Sequence, residues 1–134
     1  MNTEWVAKGV QAAEWDMALG RHGSGTITTV AQVTPTQVTC ATGHRYWRHN
    51  LYAMGEGRGF LLPLTDRRVV NMRAREELNL LRRDIDRLCR DADVDADVDA
   101  VRGVLARIGD ALAATQAAIG RLADAEEPSD PGGG

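Results

Sequence analysis

Thr26-Ile27-Thr28-Thr29-Val30-Ala31-Gln32-Val33-Thr34-Pro35-Thr36-Gln37-Val38-Thr39-Cys40-Ala41-Thr42-Gly43-His44-Arg45-Tyr46-Trp47-Arg48 is the stretch that decides the fold class. Threonine, valine and isoleucine dominate its first half, and their branched β-carbons restrict χ1 and suit a pleated strand. Pro35 stands between two β-branched pairs and has no N–H to give a ladder, so it predicts a tight turn. After it, Val38 and Cys40 point to one face and Gln37 and Thr39 to the other, the period of a half-buried strand. Ala41–His44 reads as a second turn in which Gly43 supplies a positive φ. Arg45-Tyr46-Trp47-Arg48 then resumes the sheet. Ile27, Val30 and Val33 break strict alternation, so the first strand either carries a bulge or is buried on both faces.

Working outward, Trp5–Leu19 mixes helix-favouring alanines with an interrupting Lys8-Gly9 pair, and is read as a strand following Gly9. Arg21–Gly25 and Gly55–Gly59 read as loops, and Phe60-Leu61-Leu62 before Pro63 as a short closing strand. Four or five short strands joined by tight turns within about 55 residues predict a small barrel over residues 1–64.

Composition changes near Pro63–Asp66. Residues 1–68 carry seven Lys/Arg against five acids, and residues 69–134 carry nine against fourteen, so a net charge of −3 hides a basic half and an acidic half. Thr65 or Asp66 caps a helix whose apolar positions are Val70, Ala74, Leu78, Leu81, Ile85 and Leu88. A second helix carries Val98, Val101, Leu105, Ile108, Leu112, Thr115, Ile119 and Leu122 at alternating gaps of three and four, a sustained heptad seam. Arg87 and Arg90 close the first helix and Asp95, Asp97 and Asp99 open the second, each sign matching the helix dipole. The short polar link between them predicts a coiled-coil-like antiparallel hairpin over 65–125, with rods of about 40 Å. Residues 126–134 are expected to be disordered. The expected fold class is therefore α+β.

A chain of 134 residues with 43% apolar and 26% charged content is globular in composition and too short for a large multidomain enzyme. No apolar run approaches the roughly 20 residues of a membrane span, and Met1–Val10 has no secretory pattern, so a soluble cytoplasmic protein without membrane contact is expected. Cys40 and Cys89 alone cannot build a disulfide scaffold.

Val33, Thr34, Thr36, Gln37, Val38, Gly43, Arg45, Tyr46 and Arg48 give the chain a further likeness. It resembles small proteins encoded by phages of actinobacteria, in which a V-T-x-T-Q-V hairpin, a glycine turn and an R-[FY]-x-R strand precede a helical C-terminus. The resemblance implies an SH3-like barrel, no catalytic residues and a place in the host cytoplasm.

Arg45-Tyr46-Trp47-Arg48-His49 is the most suggestive cluster, since stacking aromatics and phosphate-binding arginines are the tools of nucleic-acid-binding barrels. It sets out an alternative function, nucleic-acid binding through Arg45, Trp47, Arg48 and Arg58. Against it, strand alternation separates Arg45 and Trp47 from Tyr46 and Arg48, and the weak charge balance does not suit tight duplex binding. Cys40, His44, His49 and His22 offer a single thiolate, with Cys40 on a face expected to be buried, so no zinc is expected. The Asp91–Asp99 run lacks the glycine and glutamate of a calcium loop in every frame; counted from Asp91 those positions are Ala96 and Arg102. Gly55, Gly57 and Gly59 lead into Phe60-Leu61-Leu62-Pro63 rather than a helix N-terminus, so they make no phosphate cradle. No nucleophile-elbow, zinc-protease or P-loop pattern occurs.

The leading expectation is a non-enzymatic phage accessory protein without cofactor or small-molecule substrate, docking on a protein partner or on itself as a homo-oligomer through the hairpin. Leu80, Cys89, Val94, Val104 and Ala111 lie off the main helical seam and are expected to supply the second apolar surface.

Overall fold

Ser24–Val33 forms the longest strand of the computed structural model, which describes residues 2–16, 24–55, 57–92 and 95–126. In chain order, β1 is Gln11–Asp16, β2 Ser24–Val33, β3 Gln37–Cys40, β4 Arg45–Trp47 and β5 Phe60–Pro63, followed by α1 over Arg67–Asp91 and α2 over Val98–Ala125. The strands pair antiparallel in the order β4-β3-β2-β1-β5. The class is α+β: a curled five-stranded sheet, a half-barrel, followed by two helices.

Of the two readings of β2, the bulge is the one found. Val30 pairs with Cys40 but Gln32 pairs with Thr39, so one extra residue stands between them. Before the bulge Thr28 and Val30 are buried, and after it the parity changes so that Val33 packs against the same core. The turn after β2 closes with Thr34 N–H donating to the Gln37 carbonyl at 2.8 Å, and Gln37 N–H donating to Thr34 Oγ1 at 3.0 Å. Gly43 takes φ 90° in the next turn. The strand expected after Gly9 is β1, entered by Gly9 N–H donating to the Val30 carbonyl at 2.8 Å.

Residues 51–54 join the two edges of the sheet. On the β4 side, Trp47 N–H donates to the Tyr52 carbonyl (2.9 Å) and Met54 N–H to that of Arg45 (3.0 Å). On the β5 side, Leu61 N–H donates to Leu51 (2.9 Å) and Ala53 N–H to Gly59 (3.0 Å). Groups that would lie open on an edge strand are thereby paired. Val6, Ala12, Val30, Val38, Cys40, Tyr46, Leu51 and Leu61 fill the interior, with Trp5, Val33 and Ala53 packed against them. Strand β1 is buried on both faces: Ala12 belongs to that interior, and its neighbours Ala13 and Trp15 are buried as well.

Asp66 precedes α1 and accepts the Arg68 backbone N–H at 2.9 Å; Asp97 caps α2 by accepting that of Ala100 at 2.8 Å. Each aspartate satisfies an N–H that has no partner within its helix. Backbone contacts divide the chain at Val69/Val70, which sets the sheet apart from most of the helical region. Along their lengths the backbones of α1 and α2 approach each other closely at few places. No helix among the described residues is long and apolar enough to cross a membrane.

Candidate functional site

Strand β4 sends Tyr46 into the core and leaves Arg45 and Trp47 outside. Tyr46 bridges Ala53 antiparallel, which brings Tyr52 across from Trp47, and Tyr52 in turn bridges Phe60. The Tyr52 and Phe60 rings are tilted with centroids 5.9 Å apart, and the Arg68 guanidinium lies 5.2 Å from the Phe60 ring centroid. At the other end the His49 ring is 6.1 Å from that of Trp47. The result is two ring contacts, His49–Trp47 and Tyr52–Phe60–Arg68, joined by the backbone pairing of Trp47 with Tyr52, and Trp47 is 40% and Tyr52 53% exposed. Asp66 holds Arg68 in place through Nε–Oδ1 and Nη2–Oδ2 contacts of 3.1 and 3.2 Å.

Next to this row, Arg45, Met54 and Arg58 line an open cleft of about 410 Å³ together with His44. Arg45 and Arg58 pair with no described carboxylate. Of the four residues read from the sequence as a nucleic-acid face, Arg45, Trp47 and Arg58 are thus brought into one neighbourhood. Arg48 is not: it lies past the end of β4, half-buried, with its N–H on the Thr36 carbonyl at 2.9 Å. Tyr52, Phe60 and Arg68 were missed because residues 51–54 carry no strand periodicity of their own. Only their pairing with β4 and β5 makes them neighbours of Trp47.

A second polar site stands at the mouth of the sheet's interior. Glu14 Oε1 accepts from the Tyr46 hydroxyl at 2.9 Å and from the Thr42 hydroxyl at 2.8 Å, and lies 3.0 Å from His44 Nδ1. The Glu14 side chain is only 10% exposed while His44 is 70% exposed. Burial, then the hydrogen bond and charge of Glu14, push the Tyr46 phenol far above its ordinary range. Burial first and Glu14 second raise the Cys40 thiol to about 11. Both groups stay protonated near neutral pH, which makes Tyr46 a donor and leaves Cys40 a poor nucleophile. Among the described residues no three His, Cys, Asp or Glu side chains converge as metal ligands. His44 is engaged with Glu14, His49 stands by Trp47, Cys40 is buried, and His22 lies outside the described residues.

The helices expose apolar side chains in a different pattern from the one read in the sequence. Leu80 is 50% exposed, as a second surface requires, and Cys89 is exposed too. Val104 instead is buried, at 7%, and Ala111 is half-buried; Val94 lies outside the described residues. The expected mutual seam is open over its first half on α2, where Val98 is 66%, Val101 45%, Leu105 60% and Leu112 45% exposed, while Ile108, Thr115, Ile119 and Leu122 are half-buried. On α1 Leu78 is 58% exposed but Val70 and Leu81 are buried. The reason is the width of the apolar sector. With Val98, Leu105 and Leu112 at the first core position of a heptad, Val101, Ile108 and Leu122 take the second. Val104, Ala111 and Ala118 fall one step before the first. That is three positions in seven, of which Val104 on the flank is buried and Ala111 and Ala118 are half-buried, as are Ile108, Ile119 and Leu122.

Comparison with protein-family models, curated proteins and solved structures finds no match to this chain.

Proposed function

We propose that this protein is a non-enzymatic assembly module that pairs with a second copy of itself through α2. The observation that carries the reading is the row Val98, Val101, Leu105 and Leu112, exposed at heptad spacing on one helix. Single exposed leucines are ordinary, but a contiguous apolar row on one face is not. A sector three positions wide suits a helix with two helical neighbours, as in a bundle, rather than one. The chain supplies one such neighbour, α1, when the two helices fold back as an antiparallel hairpin across residues 92–97. A second copy supplies the other, and two hairpins complete a four-helix bundle. Asp99, Arg107, Asp110, Arg121 and Asp124 all stand off the apolar sector, where such a bundle meets water. The hydrogen bonds from residues 51–54 to both sheet edges favour an SH3-like barrel for the first part, and the likeness of residues 33–48 to actinobacteriophage proteins favours an accessory role in the host cytoplasm.

Size-exclusion chromatography with light scattering tests the assembly. The intact protein is expected at twice the chain mass, and Leu105→Glu/Leu112→Glu at the monomer mass with its helical circular dichroism retained, since both side chains are exposed in the single chain. A monomer at the highest attainable concentration, or a dimer indifferent to both glutamates, would overturn the reading.

A further inference from the structure

We infer that the row Trp47–Tyr52–Phe60, with Arg45 and Arg58 beside it, is a binding platform for single-stranded nucleic acid. This goes beyond the assembly reading and does not rest on it. The argument begins with the exposure of Trp47 and Tyr52, two large side chains on opposed residues of paired backbone, 40% and 53% open to solvent. Nothing in the interior requires them there, because Tyr46 and Ala53 face the core from the same two segments. Phe60, fixed between Tyr52 and the Asp66-held Arg68, extends the same surface by a third ring. Successive unpaired bases stack on such rings regardless of sequence, because each base has a π-face.

Charge selects the occupant. Arg45 and Arg58 line the cleft beside the rings and form no described ion pair, although Glu14 and Asp16 share a neighbouring cleft with Arg58. A strand whose bases stack on the rings carries its phosphates beside them, and Arg45, two residues from Trp47 on the same face of β4, is a charge-assisted donor for them. An uncharged proline-rich peptide would use the rings but not the arginines. A duplex would use the arginines but keep its bases out of reach of the rings, and the overall balance of the chain, −3, is poor for duplex binding.

The test is fluorescence anisotropy of the intact protein with a dye-labelled oligothymidylate of about 20 nucleotides, longer than the roughly 4–16 that one small barrel covers. Unlabelled competitors are the same length of duplex, inorganic polyphosphate and a proline-rich peptide. Binding is expected with quenching of tryptophan emission, attributable to Trp47 because Trp15 is buried and Trp5 half-buried. Trp47→Ala and Tyr52→Ala are each expected to weaken binding about tenfold, and Trp47→Phe to keep most of it. Arg45→Ala and Arg58→Ala should each lower the slope of log affinity against log salt by about 0.7. Thermal melts check that each variant folds, and Trp47→Phe keeps the stacking question open to test if Trp47→Ala does not. Absence of binding at low salt, displacement by polyphosphate or peptide as effective as by oligothymidylate, preference for the duplex, or full affinity in folded Trp47→Ala and Tyr52→Ala would each overturn the inference.

Discussion

Tyr46 shows how one side chain serves both the core and a polar site. Its ring is buried beside Cys40 and Val38 while its hydroxyl donates to Glu14 at 2.9 Å. Tyr46→Phe keeps the ring and removes the donor, so a loss of about 1–2 kcal/mol in chemical denaturation is expected, in the range for hydrogen bonds to a charged acceptor that is partly screened. Alkaline stability follows from the same neighbourhood. The unfolded chain releases the Cys40 proton near the ordinary 9.0, whereas the native chain holds it to about 11. Native protein therefore binds more protons than unfolded protein in that window, and stability falls as pH rises from about 9 to 11. Tyr46, also raised, continues the decline above its ordinary 10.0. Denaturant midpoints measured from pH 7 to 11 should show this loss, and Cys40→Ala should flatten its first part. At pH 8 a thiol reagent is expected to label exposed Cys89 and to spare buried Cys40.

At the scale of elements, two glycines are expected to respond to alanine in opposite directions. Gly59, just before β5, has φ 85°, and an added β-carbon would overlap the Trp15 carbonyl oxygen. Gly59→Ala should lower the melting temperature, because strain in the backbone adds to a clash that no side-chain rotation relieves. Gly109 lies exposed within α2 and a β-carbon there meets nothing within 4 Å. Gly109→Ala should raise stability by about 0.5–1 kcal/mol through the unfolded state and helix propensity. Calorimetry of the two variants side by side checks both signs. The contrast also separates kinds of legibility: the helical glycines are visible as weak points in a periodic sequence, while the need for Gly59 arises from a strand, β1, more than forty residues away.

For the whole molecule, the unsettled surface is the apolar row of α2. If two chains share it, dimer formation draws on the native state alone, and the melting temperature must rise with protein concentration. A series of melts over a hundredfold range of concentration, roughly, is expected to show that rise for the intact protein and none for Leu105→Glu/Leu112→Glu. The aromatic row belongs to the sheet, on the other side of the division at Val69/Val70, so the same double variant should bind oligothymidylate with intact stacking.

What the chain determined by itself was its local order. β-branched residues, Pro35 and Gly43 place β2, β3 and β4 with their turns; the heptad spacing and aspartate caps place both helices; and a change of composition separates the two parts. Each of these rests on neighbours in sequence. Tertiary structure alone decided the rest. A strand after Gly9 was readable, but its burial on both faces was not, because Ala12 and Ala13 give no alternation to read. The bulge at Ala31 was one of two readings until the register of β3 chose it. The row Trp47–Tyr52–Phe60 exists only because residues 51–54 lie between two sheet edges. Which flank of α2 turns inward was likewise undecidable from a sector three positions wide, since periodicity gives an apolar side but a specific neighbour selects the part of it that is covered.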